Sequence, residues 1–516
     1  MNSLPSFLAA ASGPRGPSHD QRAACRAALA GAVALAVALG VGRFAFTPLL
    51  PLMLAGGELD IRHGGWLASA NYAGYFVGAM TCARIAVDPA RMVRAGLAAT
   101  VLLTFAMGLA SPFWVWALVR FVGGAVSAWT FVFASQWGLR RVVEHGAPAW
   151  GGVIYTGPGI GIVATGLIGF ALAGRHAALG WIGFAAASAV LTAFVWRAFG
   201  AAGAGTDGGQ SRGGAKRAGD GVGVADAAGR AGERLAAGAA EGAGAVADAV
   251  SAANVADTAD TANTANTANT ANTANSANSA NSANSANSAT ATAERNSPVA
   301  GVAGQHGAMA APAARAPHVE SAAARRDAFW LVLLYGLPGF GYIITATFLP
   351  VIARAALPAH SRWPDLFWPM FGAALIAGAL LGARLPSGWD NRLLLGACCA
   401  VQALGVALGI VWPTAPGFAL GSALVGLPFT AITLFAMREA RRLRGERAAG
   451  LMGYATASYG VGQIAGPLAA APLAAHAGSF SPALWLAATM LAVGAAGFAA
   501  VALRAWRAKT RGGGVG

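Results

Sequence analysis

The fold class this sequence predicts is an all-α membrane protein, with twelve spanning helices arranged as two pseudo-symmetric six-helix bundles. Three observations predict it. Apolar residues make up 56% of the chain and charged residues only 11%, against about 25% charged in soluble domains. The apolar residues gather in twelve runs, each about 18 residues or longer, which is enough to cross a hydrocarbon core of about 30 Å as a helix. Part of the first run also returns about 300 residues later, at the start of the second set of six.

The first six runs are Ala28–Leu54, Gly65–Ile85, Met92–Ala110, Phe113–Leu139, Trp150–Ala173 and Gly180–Phe199. The second six are Ala328–Ala353, Trp368–Leu385, Leu393–Val411, Gly417–Met437, Ala448–Ala475 and Ala483–Trp506. Within the first run stands Gly40-Val41-Gly42-Arg43-Phe44-Ala45-Phe46-Thr47-Pro48-Leu49-Leu50-Pro51, answered by Gly339-Phe340-Gly341-Tyr342-Ile343-Ile344-Thr345-Ala346-Thr347-Phe348-Leu349-Pro350. The glycines and the closing proline keep their places, and Tyr342 stands where the first copy has Arg43. A second match, Gly78 to Arg84 against Gly378 to Arg384, follows in the same order. Parallel six-helix repeats are a recurrent plan of membrane carriers.

These runs divide the chain into a tail (1–27), an N-terminal bundle (28–199), a linker (200–327), a C-terminal bundle (328–507) and a last tail (508–516). The linker is Gly/Ala-rich and carries a Thr-Ala-Asn and Ser-Ala-Asn triplet array from Thr258 to about Thr290. It has almost no large apolar side chains to offset the entropy of ordering, so a disordered tether is expected. The formal charge of +15 comes from arginines in short loops and tails, which is a topology signal and not a nucleic-acid face. The bias (Arg84, Arg91, Arg94, Arg140, Arg141, Arg438, Arg441, Arg442 and the tails on one side) puts both termini and the linker in the cytoplasm. Cys25, Cys82, Cys398 and Cys399 lack disulfide or metal spacing and read as packing or surface thiols.

The chain resembles the major facilitator superfamily over both six-helix halves, and within it the uncharacterised YbfB/YjiJ-type branch. The residues that carry the likeness are Gly42-Arg43-Phe44 with Thr47-Pro48-Leu49-Leu50-Pro51, then Asn71-Tyr72-Ala73-Gly74-Tyr75, and Gly460-Val461-Gly462-Gln463-Ile464-Ala465-Gly466-Pro467. Arg120 with Gly124 and Ala128 is similar to the superfamily's fourth-helix pattern, and Gly157-Pro158 with Gly161 partly matches a fifth-helix pattern linked with antiporters. One departure is Cys82, which stands four residues after Gly78 where the superfamily has an Asp; an inner gate built on the usual ion pair is not expected. The resemblance implies the major facilitator fold and alternating access. It also implies a cavity lined by helices one, four, seven and ten, with Arg43 and Arg120 near one space.

Two readings of these arginines stand open. Each either caps backbone carbonyls inside the first half, or offers its charge to an anionic substrate. The second is favoured because no Asp or Glu falls inside any of the twelve runs, and a buried charge without a partner is costly. The candidate substrate-binding residues are Arg43, Arg120, Asn71, Tyr72, Tyr342 and Gln463, and the candidate bending or gating residues are Pro48, Gly157, Pro158, Gly466 and Pro467. For any one uncharged polar group, helix–helix hydrogen bonding is the competing role.

The expected protein is a secondary transporter for a small organic solute, with an anion preferred, in a bacterial inner membrane. The alternatives are an exporter that selects by shape and apolarity, and a non-transporting receptor or scaffold. No catalytic or metal-ligating constellation is recognisable, no cofactor is implied, and an enzyme is not expected. The partners expected are the small-molecule substrate and the lipid bilayer, with no nucleic acid and no obligate protein partner.

Overall fold

The computed structural model describes residues 19–147, 150–200, 322–382, 385–386, 388–445 and 448–512. Of the expected linker, residues 201–321 lie outside these, as do residues 1–18 and 513–516 of the two expected tails; residues 322–327, read as linker, are the first residues of a helix.

Twelve helical spans occur among the described residues. Helix α1 runs through His19–Leu35, a π-helical turn Ala36–Val41 and Phe46–Ala55; α2 is Ile61–Thr81, α3 Pro89–Leu109 and α4 Phe113–Glu144. Helix α5 joins Gly151–Ile154 to Gly157–Ala171, and α6 is Ala177–Trp196. The second half contains α7 Ala322–Ala356, α8 Trp363–Gly382, α9 Asn391–Val411, α10 (Ala415–Gly426 then Phe429–Arg444), α11 Ala448–Ala477 and α12 Ser481–Gly512. The helix starts are set by local chemistry. Asp60 accepts from the His63 N–H at 2.8 Å, Asp88 from Arg91 at 3.0 Å and Asp390 from Arg392 at 2.9 Å. Each satisfies an N–H that has no partner inside its helix. Pro89 also sits in the first turn of α3, where its missing N–H costs nothing.

Several helices outrun the apolar segments that predict them. Helix α1 begins at His19, inside the stretch read as a tail, and α12 continues to Gly512. At about 1.5 Å per residue, the 32 residues of α4 span roughly 48 Å and must leave the hydrocarbon core. The extra turns bring in two carboxylates that lie outside the apolar runs: Asp365 and Glu439 are helical and buried. They sit near helix ends, and both are paired, Asp365 with Arg354 and Glu439 with Arg442.

The two halves repeat one packing plan. Helix α2 packs on α4 as α8 packs on α10, and α3 packs on α4 and α6 as α9 packs on α10 and α12. Small residues make the approach close. A Cβ on Gly74 would lie 1.8 Å from the Phe121 carbonyl oxygen, and one on Gly378 would lie 1.7 Å from that of Leu427. The halves meet through α2 against α11 and α5 against α8.

Ten of the twelve spans are long and apolar enough by themselves to cross a membrane; α2 and α11 are not among them. Those two pack on each other, so their less apolar surface faces protein. Exposed tryptophans mark both rims, with Trp66, Trp114, Trp363, Trp412 and Trp485 at one end and Trp196, Trp389 and Trp506 at the other. Paired aromatic girdles of this kind sit at membrane–water interfaces.

Candidate functional site

The site begins with a defect in α1. Pro48 brings no N–H and its ring disfavours a regular helix across the preceding turn. Upstream, the Gly42 and Phe44 N–H groups bond five residues back, to Val37 and Leu39, at 3.0 and 3.1 Å. That π-type spacing, which often marks functional sites, frees the Ala38 carbonyl from its regular partner, and the Arg43 carbonyl is freed because the Thr47 N–H bonds Phe44 at 3.3 Å and Pro48 has no N–H. Ser127 of α4 donates to the Ala38 oxygen at 2.7 Å. Arg120, also of α4, donates Nη2 to the Arg43 oxygen at 3.3 Å and Nε to the Leu67 oxygen at 3.4 Å. Gly42 leaves room for this, since a Cβ there would lie 2.5 Å from the Ala38 oxygen and 2.9 Å from Ser127 Oγ.

Released from a regular helix, the Arg43 side chain crosses to the second half. Its Nη2 donates to Gln463 Oε1 of α11 at 2.6 Å, and Gln463 Nε2 donates in turn to the Tyr342 hydroxyl of α7. The guanidinium lies 4.1 Å from the ring centre of Tyr75, with Tyr72 at 5.2 Å and Phe44 at 5.3 Å. Aromatic faces stabilise a cation without a counter-ion. Arg43 is 2% exposed, and its Nε and Nη1 have no hydrogen-bond partner among the described residues. Neither Arg43 nor Arg120 joins any ion pair found among the described residues.

Of the residues expected from sequence, Arg43, Tyr72, Tyr342 and Gln463 come together around this guanidinium. Tyr72 Oη also hydrogen-bonds Thr347 Oγ1 across the halves at 3.0 Å. Arg120 and Asn71 stand one step away, where Asn71 Nδ2 donates to the Arg120 carbonyl at 2.8 Å. Arg120 stacks on Phe46 at 4.8 Å and spends two nitrogens on carbonyls, which is the capping arrangement. Among the bending candidates, Pro48 packs on Gly169, and Gly157 packs on the Ala32 oxygen beside the break in α5. Gly466 packs on Ile343, and Pro467 lies within α11 against Gly65 of α2.

Sequence reading missed Ser69, Ser127 and Trp368. Ser69 donates to the Ile464 oxygen across the halves at 2.8 Å, and Trp368 stacks beside Phe44 and Phe371. Lone serines and a tryptophan in an apolar run carry no spacing signal that would have found them.

The hydrogen bonds that join the halves favour one end. Besides Arg43–Gln463, those found among the described residues are Thr47 to the Ala346 oxygen at 3.1 Å, Ser69 to Ile464, Tyr72 to Thr347, and Arg362 to the Phe170 oxygen at 2.7 Å. These lie from mid-depth towards the rim that carries the α1–α2 and α7–α8 connections.

Two six-helix halves with one packing plan, meeting around a buried polar network, define a multi-pass membrane transporter of the major facilitator type. The chain belongs to the family described as uncharacterised MFS-type transporter YbfB, whose model matches residues 35–219 and 273–498. Among solved structures it is similar to a mutant of the nucleoside transporter NupG, at 13% identity and a TM-score of 0.57. That match covers 92% of this chain and 99% of the other, and at this identity it is a likeness of fold. No curated protein sequence matches significantly.

Proposed function

We propose that this transporter moves a small organic anion by alternating access, with Arg43 as the residue that grips it. The observation that carries the reading is the state of Arg43. It is a buried cation on the interface, with no carboxylate partner and most of its five N–H donors unspent. A carboxylate or similar group would supply the missing charge through charge-assisted bonds. Gln463 is the neutral acceptor that holds the guanidinium when no cargo does. It belongs to the second half, so replacing its bond with one to cargo would couple binding to the relative motion of the halves. In this reading Tyr72 and Tyr342 shape the space, and Arg120 with Asn71 holds the broken α1 in the form that presents Arg43. The arginine bias of the loops supports an inner-membrane protein with cytoplasmic termini, so that the rim joined by these hydrogen bonds faces outward.

Uptake and efflux in inverted and right-side-out vesicles, screened against labelled organic acids and uncharged amphiphiles, test the proposal. Arg43→Lys keeps partial transport of the acids, because a point charge survives while the planar donor set is lost. Arg43→Gln weakens it by roughly 2 kcal/mol or more, the scale of a charge-assisted bond. A wild-type acid profile in Arg43→Gln at normal expression would refute the anion site.

A further inference from the structure

Each half has a small pocket at the same place in its packing. In the first half it lies among α1, α3, α4 and α6, lined by Gly42, Thr100, Thr104, Arg120, Gly123 and Trp181 with a few apolar side chains. In the second half α7, α9, α10 and α12 frame a pocket lined mainly by Leu349, Ile352, Val406, Phe418 and Leu484. Two pockets on matching helices are a product of the repeated fold. Their chemistry differs. The second is apolar apart from the hydroxyls of Thr345 and Ser422, whereas Arg120 and Trp181 are among the residues that line the first.

Both of those groups are donors in need of an acceptor. Arg120 is 3% exposed and Trp181 2%. Arg120 places Nε and Nη2 on the Leu67 and Arg43 carbonyls, and no bond of its Nη1 is found among the described residues; the buried Trp181 Nε1–H has no acceptor there either. The hydroxyl hydrogens of Thr100 and Thr104 are already given to the Gly96 and Thr100 carbonyls at 2.8 and 2.7 Å. A buried cation without a carboxylate is costly, and in this half Arg43 adds a second one. All the lining residues come from the first half, so this pocket is separate from the contacts of Arg43 with Gln463 and Tyr342.

We propose that the first-half pocket is a binding site for a small inorganic anion of halide size, accepted by the Arg120 guanidinium and the Trp181 indole N–H. The bound anion offsets the buried positive charge of Arg43 and Arg120 and so steadies the first half in whichever direction the carrier faces. The site does not depend on what the transporter carries.

The test uses the full-length protein in nanodiscs, with sodium chloride or bromide titrated against sodium gluconate at constant ionic strength. Thermal stability should rise saturably with either halide by about 2 °C or more, as mass action requires for a ligand bound only by the folded state. Trp181→Phe should remove most of that increment, as should Arg120→Gln where it folds. Ser422→Ala, in the pocket of the other half, should retain it. Crystals grown in bromide should show an anomalous peak in the first-half pocket. Equal stability in halide and gluconate, an increment that survives Trp181→Phe, or a water with no anomalous signal in that pocket would each overturn the proposal.

Discussion

Arg43 and Gln463, 420 residues apart in the chain, are joined by a buried hydrogen bond of 2.6 Å between the two halves. A hydrogen bond to a charged group contributes about 1.5–3 kcal/mol, and this one forms only while the halves are closed at mid-depth. Gln463→Leu should therefore loosen the joint between the halves. A cysteine placed at Ala346, which is buried, should react about tenfold faster or more with a membrane-impermeant thiol reagent applied from the α1–α2 side. Gln463→Glu should do the reverse, turning the bond into an ion pair, slowing labelling and competing with an anionic cargo. Equal labelling rates in all three proteins would remove Gln463 from the closing mechanism.

A cluster at the opposite rim ties α7, α9 and α10 together. Arg392 meets Asp390 at 2.8 Å, Asp327 at 3.3 Å and Glu439 at 3.7 Å, and Glu439 also meets Arg442 at 2.6 Å. Glu439 is 1% exposed, and removing one member of a buried pair costs about 3 kcal/mol or more. Arg392→Gln should lower the melting temperature by several degrees and leave substrate affinity unchanged. A drop in affinity at constant stability would mean that the cluster belongs to the transport path.

The same cluster sets a pH window. Burial pushes the Asp390 carboxyl up, but hydrogen bonds and charge from Arg392 outweigh it and hold the group below the ordinary range. A depressed carboxylate contributes stability that is fully present above its unfolded pKa of about 3.9 and is lost as pH falls through the folded value. Melting curves between pH 5 and 8 should thus show no contribution from Asp390 titration. Below about pH 4, the wild type should approach the stability of Asp390→Asn.

Close packing of α2 on α4 makes a third kind of prediction. A methyl group at Gly74 would collide with the Phe121 backbone oxygen at 1.8 Å, and one at Gly124 with the Asn71 oxygen at 2.0 Å. Gly74→Ala should cost about 1–3 kcal/mol or more through overpacking, read as lost monodispersity after solubilisation. Gly152→Ala, where a Cβ meets nothing within 4 Å, is the control and should behave as wild type.

Orientation is open to a direct measurement. With cytoplasmic termini, a cysteine at position 360 should be labelled from outside intact cells and one at position 270 should not. The opposite pattern would reverse the membrane assignment.

How much of this was legible in the sequence depends on the range of the interaction involved. Spans are local, so composition and run length located them, and the alignment of Arg43 with Tyr342 was visible because a repeat preserves register. Those two residues share one network in the fold, yet through Gln463, whose place beside them depends on how α11 packs and not on any spacing in the chain. Pro48 marked a bend in α1, but the π-helical turn upstream of it and what receives the freed carbonyls were hidden for a similar reason. Its run is continuously apolar, and the freed carbonyls are received by Ser127 and Arg120 on another helix. Arg120 looked equivalent to Arg43 because both are arginines in apolar runs. In the structure one faces backbone carbonyls and the other reaches across the interface.

The modest apolarity of α2 and α11 has a consequence for how the protein is made. Each segment is less apolar than the other ten spans, and the mate that packs on it lies nearly 400 residues away in the chain. Early in synthesis α2 therefore relies more than its neighbours on adjacent helices or the insertion machinery, until α11 emerges to pack on it. Either six-helix half produced alone would leave one of these helices facing acyl chains, so co-expression of the two pieces should rescue the yield of both.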